Sequence, residues 1–408
     1  MQNAELSAEA PRRIEEFRRT AKASWLRASI LALVTLVLRI VSASGPYFAD
    51  AFRHIRAIQS GLLVVHPPGY LVFNSTGFLL VHLLRVSAAN ALQILNITFS
   101  AAGAAVFYLL VSRMNAIASP FWLSLAYICS PVVWFSADVH SSYASVTFFA
   151  PLLILVVDGE QSFVWGCLVW AVMTAFRPSD GVFVLPWMAF EAFRFPWKKW
   201  LAGAAIAASL TAAWWIPTSI RYSALGGPPS SGLLYSGDQV HGLAQGLLAG
   251  HFGIHALVNA FHAVSGMIMT WGLLTPLVCL GATKAIRDAT ARSMTIFLAP
   301  GVLFFVLYYV ADAPYFAYTA AAGMILASVF LAKWSSTKQR ASFVAAVCAS
   351  LFFMIAARPF NTKGSKTIAV ADAYFLKYSV PALKQENDPR LAGLLGACND
   401  PDVRGVCR

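Results

Sequence analysis

Apolar runs of the length that carries an α-helix across hydrocarbon, about 20 residues, recur along most of the chain. They fall at approximately 25–44, 89–111, 118–136, 142–157, 162–176, 179–194, 200–220, 256–282, 294–311, 315–332 and 341–357. The pattern predicts an all-α fold: a polytopic membrane bundle of about eleven transmembrane helices. The runs at 162–176 and 179–194 are short for a straight crossing. One further apolar stretch, Pro67 to Val86, opens Pro-Pro-Gly and carries Asn74, Ser75, Thr76 and His82.

Charge decides how that stretch is read. Short cytoplasmic loops of membrane proteins are rich in Lys and Arg. If 67–86 does not cross, one side receives Arg12, Arg13, Arg18, Arg19, Lys22 and Arg27, then Arg113, Arg194 with Lys198 and Lys199, Lys284 with Arg287 and Arg292, and Lys333 with Lys338 and Arg340. The opposite short loops keep only Arg53, Arg56, Arg85, Arg177 and Arg221. If 67–86 crosses, every later segment inverts and most of those clusters land outside. The stretch is therefore read as an interfacial or re-entrant helix in a long first extracytoplasmic loop, 45–88. Non-crossing backbone at that depth is tolerated where protein or a cavity surrounds it. The N-terminus is then cytoplasmic and the C-terminus extracytoplasmic.

Composition agrees. Hydrophobic residues make up 58% and charged residues 12% of the 408 residues, against about 25% charged in a soluble protein. The net charge of +12 is spread as loop clusters between apolar runs, which excludes a nucleic-acid interface. The polar start and the length of the first apolar run argue against a cleavable signal peptide. Residues 1–24 form a basic, amphipathic cytoplasmic segment suited to an anionic membrane face. Residues 25–357 form the membrane domain, and residues 358–408 a short extracytoplasmic tail in which Cys398 and Cys407 could pair. No cysteine pair has zinc-ligand spacing.

With this topology the notable polar groups gather on one face. The first outer loop carries Asp50, Arg53, His54 and Arg56, then His66-Pro67-Pro68-Gly69-Tyr70. Later outer turns carry Asp138 and His140, then Arg177 with Asp180, then Asp238, His241, His251 and His255, and finally Asp312 and Tyr315. Polar groups converging beside an apolar bundle suit a site that handles a polar group carried on a lipid. Transfer from a lipid phosphate needs a carboxylate to orient or deprotonate the acceptor and cations to stabilise the departing phosphate. Asp50 is the candidate carboxylate, because Arg53 and His54 lie three and four residues on and share its helix face. Arg177 is a second phosphate candidate, with pairing to Asp180 as its plainer role. Helix capping is the plainer role for Asp50 and Asp138, and turn formation for His66. Arg39, inside the first run, must snorkel outward or pair within the bundle, with Asp50 or Asp138 as partners in reach.

The order Asp50, then His66-Pro67-Pro68-Gly69-Tyr70, just after the first run resembles the GT-C superfamily of polyprenyl-phosphate-sugar glycosyltransferases. The likeness is to its protein O-mannosyltransferase-like and aminoarabinose-transferase-like branch. Pro131 to His140 (PVVWFSADVH) resembles that branch's second acidic motif, Thr174 to Pro186 (TAFRPSDGVFVLP) its Arg-Pro segment, and Asp312 to Tyr315 its late Gly-Tyr turn. The resemblance implies that Asp50 and Asp138 are catalytic, that His66 to Gly69 shape the cavity floor, and that Arg177 meets the lipid phosphate. Arg53, His54, Arg56, Tyr70, His140, Asp312 and Tyr315 would line the substrate site. Ala51 and Arg53 stand where many members carry a second acidic residue, and His140 replaces a Tyr. Use of a divalent metal is thereby left open, as is a non-catalytic relative.

The expected activity is transfer of a sugar from a polyprenyl-phosphate donor to a lipid, glycan or protein acceptor on the outer face of a cell membrane, a bacterial inner membrane in particular. A transporter or flippase of lipid-linked sugars is the rival from another class. The absence of a sequence repeat counts against it, because such transporters are commonly built from repeated halves.

Overall fold

The computed structural model describes residues 23–43, 46, 49–65, 69–114, 117, 119–158, 163–224, 254–307 and 313–356. Every regular element among them is helical. In chain order these are α1 (Ala23–Ser42), α2 (Ala49–Ser60), α3 (Leu71–Leu84), α4 (Ala88–Arg113), α5 (Pro120–Ile128), α6 (Pro131–Asp138), α7 (Tyr143–Asp158), α8 (Phe163–Phe176), α9 (Pro178–Ala192), α10 (Trp197–Ala224), α11 (Ile254–Trp271), α12 (Thr275–Ala282), α13 (Ala289–Leu307), α14 (Ala320–Leu331) and α15 (Ser336–Ala356). A 3₁₀ segment, Ala313–Thr319, leads into α14.

Six of the described helical stretches are long and apolar enough to cross a bilayer: Ala23–Ser42, Ala88–Arg113, Trp197–Arg221, Ala263–Ile286, Ala289–Val306 and Ala313–Leu331. A seventh appears if α5 and α6 are taken as one bent span. The chain is a multi-pass membrane protein, but the eleven runs expected from hydropathy do not become eleven full-length helices. The runs at 142–157 and 162–176 become helices of 16 and 14 residues, and that at 179–194 a helix of 15. Pro151 lies inside α7 and Pro186 inside α9, where each removes a backbone donor. The ambiguous 67–86 stretch yields only the 14-residue α3, too short for a straight crossing at 1.5 Å per residue.

The run at 118–136 hides a break. It divides at Cys129 and Ser130 into α5 and α6, whose axes differ by 51°. Pro131 opens α6 and has no N–H to donate, so the helix restarts there. The carbonyl of Ile128 loses its ladder partner and is met by Arg39 of α1, whose Nη2 lies 2.6 Å away. Arg39 is fully buried. Its Nε donates to Ser100 of α4 at 3.2 Å, and its guanidinium sits 4.1 Å from the centre of the Trp134 ring. Of the two destinations expected for Arg39, the interior is the one it takes.

The core lies between α4, α5, α7, α14 and the helices that flank them. Large apolar side chains on α1 and α10, among them Leu33, Val37, Val41, Ile216 and Ile220, remain exposed. On a membrane bundle such a surface faces lipid, not water. Small residues set the closest approaches, as bilayer packing favours. A Cβ at Gly103 of α4 would strike the Thr147 carbonyl of α7, and one at Gly281 of α12 the Leu326 carbonyl of α14. Replacement of Gly103 by Leu is expected to force α4 and α7 apart and to cost about 1–3 kcal/mol, read as a lower midpoint of thermal unfolding in detergent; an unchanged midpoint would contradict this packing.

Candidate active site

Helix α2 begins the site. Asp50 occupies its first turn, where the helix dipole favours a carboxylate. Arg53, one turn on, meets Asp50 at 3.2 Å, with both side chains about a fifth to a quarter exposed (19% and 27%). The sequence-expected pair thus exists, and solvent reaches it. His54 takes a different part. It is buried (1% exposed), edge-on to the rings of Tyr70 and Phe73. Asn74 donates its amide N–H to the Leu63 carbonyl at 3.0 Å, which leaves Asn74 Oδ1 as acceptor 2.7 Å from His54 Nδ1. Nδ1 therefore carries the proton, and Nε2 accepts from the Ser141 hydroxyl at 3.4 Å. His54 joins α2 to α3 and to the turn after α6. Arg56 is half-buried, and its Nε makes no hydrogen bond.

The loop from α2 to α3 closes through a Val65 N–H donated to the Gly69 carbonyl, 3.1 Å. Gly69 and Tyr70 both have left-handed backbones. Gly69 must be glycine for a second reason, since a Cβ there would run into the Thr218 side chain of α10. Arg221 of α10 braces the same loop, donating from Nη1 to the Leu62 carbonyl at 2.7 Å. His66, Pro67 and Pro68 lie outside the described residues, as do Asp312, Asp238, His241, His251, the side chain of His255, and the tail with Cys398 and Cys407.

The turn from Val139 to Ser142 is the hub. Asp138 ends α6 with 2% exposure. Its Oδ2 accepts from Ser42 at 3.5 Å, and Ser42 accepts from Trp134 Nε1 at 3.1 Å. His140 is also buried and holds a left-handed backbone, φ 54°, uncommon for a residue other than Gly. Its Nδ1 donates to the Asp138 carbonyl at 2.9 Å. Burial pushes the imidazole down to about 4, although the Asp138 carbonyl favours its charged form. His140 is therefore a neutral group at physiological pH.

Arg177, between α8 and α9, faces this turn and is 1% exposed. Its Nε lies 2.8 Å from Asp180 Oδ2 and its Nη1 donates to Ser142 at 3.2 Å. The guanidinium carbon is 3.9 Å from the centre of the Tyr143 ring and 5.3 Å from that of half-buried Tyr315. Its Nη2 makes no hydrogen bond. A buried cation with a spare N–H edge between aromatic rings can accept an anion with little rearrangement, because the cost of desolvating it has already been met in the fold.

Helix α4 supplies positioning residues that sequence reasoning passed over. Gln93 donates to the Ala137 carbonyl at 2.9 Å, Asn96 to the Ser141 carbonyl at 3.0 Å, and Ser100 receives Arg39. Their spacing, three then four residues, is a polar stripe down one face of an apolar helix. That stripe was the available signal. The structure joins His54, Tyr70, Asp138, His140, Arg177 and Tyr315 through the 139–143 turn, with Asp50 and Arg53 on the same short helix as His54. Among the described residues no three His, Cys, Asp or Glu side chains gather as a metal site.

No protein-family model and no curated protein matches the chain. Solved structures do. The crystal structure of apo ArnT from Cupriavidus metallidurans superposes with a TM-score of 0.58 at 15% identity, covering 95% of this chain and 77% of that one. The same protein bound to undecaprenyl phosphate gives 0.57 at 16% identity, covering 93% and 76%. The fold is of the GT-C type. The expectation drawn from the Asp50, Pro131–His140, Thr174–Pro186 and Asp312–Tyr315 segments holds at the level of fold, and the structural likeness spans 95% of the chain.

His140 gives the site a pH signature. In the unfolded chain it would take a proton near pH 6.5, but in the folded chain only near 4. The unfolded state binds the proton first, so stability falls as pH drops from about 6.5 to about 4 and is flat above. Replacement by Asn, which tolerates a left-handed backbone, removes this dependence. The difference in unfolding midpoint between wild type and His140→Asn is expected to shrink from pH 7.5 to pH 5; a constant difference would show that His140 does not titrate as its burial requires.

Proposed function

We propose that the chain is a membrane glycosyltransferase. It moves a sugar from a polyprenyl-phosphate donor to an acceptor hydroxyl or amine on the extracytoplasmic face. The observation that carries this reading is Arg177: a buried guanidinium, ringed by Tyr143 and Tyr315, with one N–H edge unused, beside the turn that holds Asp138. The undecaprenyl phosphate bound by the GT-C neighbour supports a lipid phosphate as the anion for that edge.

The donor is a phosphodiester with one negative charge. As the sugar C1–O bond breaks, the departing polyprenyl phosphate gains a second. Arg177 stabilises that growing charge, and Asp180 keeps its guanidinium in place. Asp50 orients the acceptor and takes its proton as the new C1–O or C1–N bond forms. Arg53 beside it holds the carboxylate in place through the 3.2 Å ion pair. Asp138, held by Ser42 and next to the Ala137 carbonyl that Gln93 of α4 holds, supports the acceptor from the second side. Tyr70, His140 and Tyr315 line the sugar-phosphate end, and neutral His140, its Nδ1–H given to the Asp138 carbonyl, has Nε2 as an acceptor for a sugar hydroxyl. Partners are thus the lipid-linked donor, the acceptor and the bilayer.

Asp50→Asn is expected to lower donor consumption by about 10²-fold or more, and Arg177→Lys by a comparable factor, because a single ammonium cannot hold Asp180, Ser142 and the phosphate together. Mass spectrometry of a panel of polyprenyl-phosphate sugars, incubated with purified protein and a membrane extract, checks both. Full activity of Asp50→Asn would sink the mechanism. No donor loss with folded wild type would move the function to a transporter or a non-catalytic partner.

Orientation is tested separately. A periplasmic phosphatase reporter fused after Arg408 is expected to be active, and one fused after Lys199 inactive; the reverse pattern would invert the topology and put the site on the cytoplasmic face.

A further inference from the structure

The other end of α1 carries a second polar site that the transfer reaction does not use. A cleft of about 370 Å³ is lined by Arg27 of α1, by Ser119, Pro120, Phe121 and Trp122 at the start of α5, and by Ser336, Thr337 and Arg340 at the start of α15. Ser42, also on α1, contacts Asp138. Fifteen residues of helix separate Arg27 from Ser42, so the cleft lies about 22 Å from the candidate active site along the bundle.

The lining is built for an anion at a membrane boundary. Two arginines contribute positive charge, and among the described residues no acidic side chain lines the cleft. Arg340 is held over the Trp122 ring at 4.9 Å, which fixes the guanidinium and leaves its N–H edges for a ligand. Two helix N-termini open into the same space, each with early backbone N–H groups that have no intrahelical acceptor. At α5 the Ser119 side chain makes no capping bond, so its hydroxyl is not committed to its own helix. The exposed faces of α1, including Ile30, Leu33 and Val34, continue away from the cleft as lipid-facing surface. A ligand here would have its anionic group among Arg27, Arg340 and the hydroxyls, with apolar chains along α1.

We infer that this cleft binds the phosphate headgroup of an anionic phospholipid in the leaflet opposite the candidate active site. The positive-inside reading assigns that leaflet to the cytoplasm, where basic pockets between membrane helices meet anionic headgroups. The occupant is a structural lipid that pins α1 and α15 to α5, and it is independent of the proposed transferase activity.

The test is native mass spectrometry of the full chain, delipidated in detergent and titrated with phosphatidylglycerol or phosphatidylcholine of matched acyl chains. The wild type is expected to retain phosphatidylglycerol about tenfold better than phosphatidylcholine. Arg27→Gln/Arg340→Gln should lose that preference, and Arg27→Lys/Arg340→Lys should keep most of it; the lysine pair guards against a preference lost merely through misfolding. Equal retention of both lipids by the wild type, or an unchanged preference in the glutamine pair, would overturn the inference. Displacement of phosphatidylglycerol by low-millimolar inorganic phosphate would also overturn it, because the cleft would then be a site for a free anion.

Discussion

A backbone carbonyl released inside a bilayer must find a donor within the protein, because no water is there to supply one. The break between α5 and α6 releases the carbonyl of Ile128, and Arg39 answers it. Much of the site rests on this exchange. The 51° bend turns α6 away from the line of α5 and brings Trp134 over the Arg39 guanidinium. Trp134 then holds Ser42, and Ser42 holds Asp138. A straight span over the same residues would leave Arg39 without its carbonyl and Asp138 in another place.

Two buried arginines divide the work. Arg39 spends Nη2, Nε and its guanidinium face on structure, on a carbonyl, a hydroxyl and Trp134, and leaves Nη1 without a bond. Arg177 spends part of its capacity on Asp180 and Ser142 and keeps one edge in hand. In a low-dielectric interior that retained edge matters more than it would at a surface, since the same charge interacts more strongly and no water competes for it. The Tyr143 and Tyr315 rings pack around the Arg177 guanidinium without neutralising it. The turn at 139–143 ties the two arrangements together, with Asn96 of α4 gripping its backbone at Ser141, Gln93 holding the Ala137 carbonyl just before it, and His54 meeting the Ser141 hydroxyl.

The sequence by itself determined the class of protein, because bilayer thickness selects long apolar runs and hydropathy reads them directly. It also determined pairs that lie within one helical turn, such as Asp50 with Arg53 and Arg177 with Asp180, because three-residue spacing places both members on one face. It pointed to Asp138, His140 and Tyr315 as residues of one site, though not to what holds them. Tertiary structure alone decided the rest. The break in the 118–136 run was hidden because hydropathy counts side chains and is blind to a backbone that restarts at Pro131. His54 looked like a companion of Asp50 by spacing, but the packing of α2 turned it inward to Asn74 and Ser141. The contacts that position the site join residues 44 to 96 positions apart. No local period records such pairs; they exist only once the helices have packed and each buried polar group has had to find its partner.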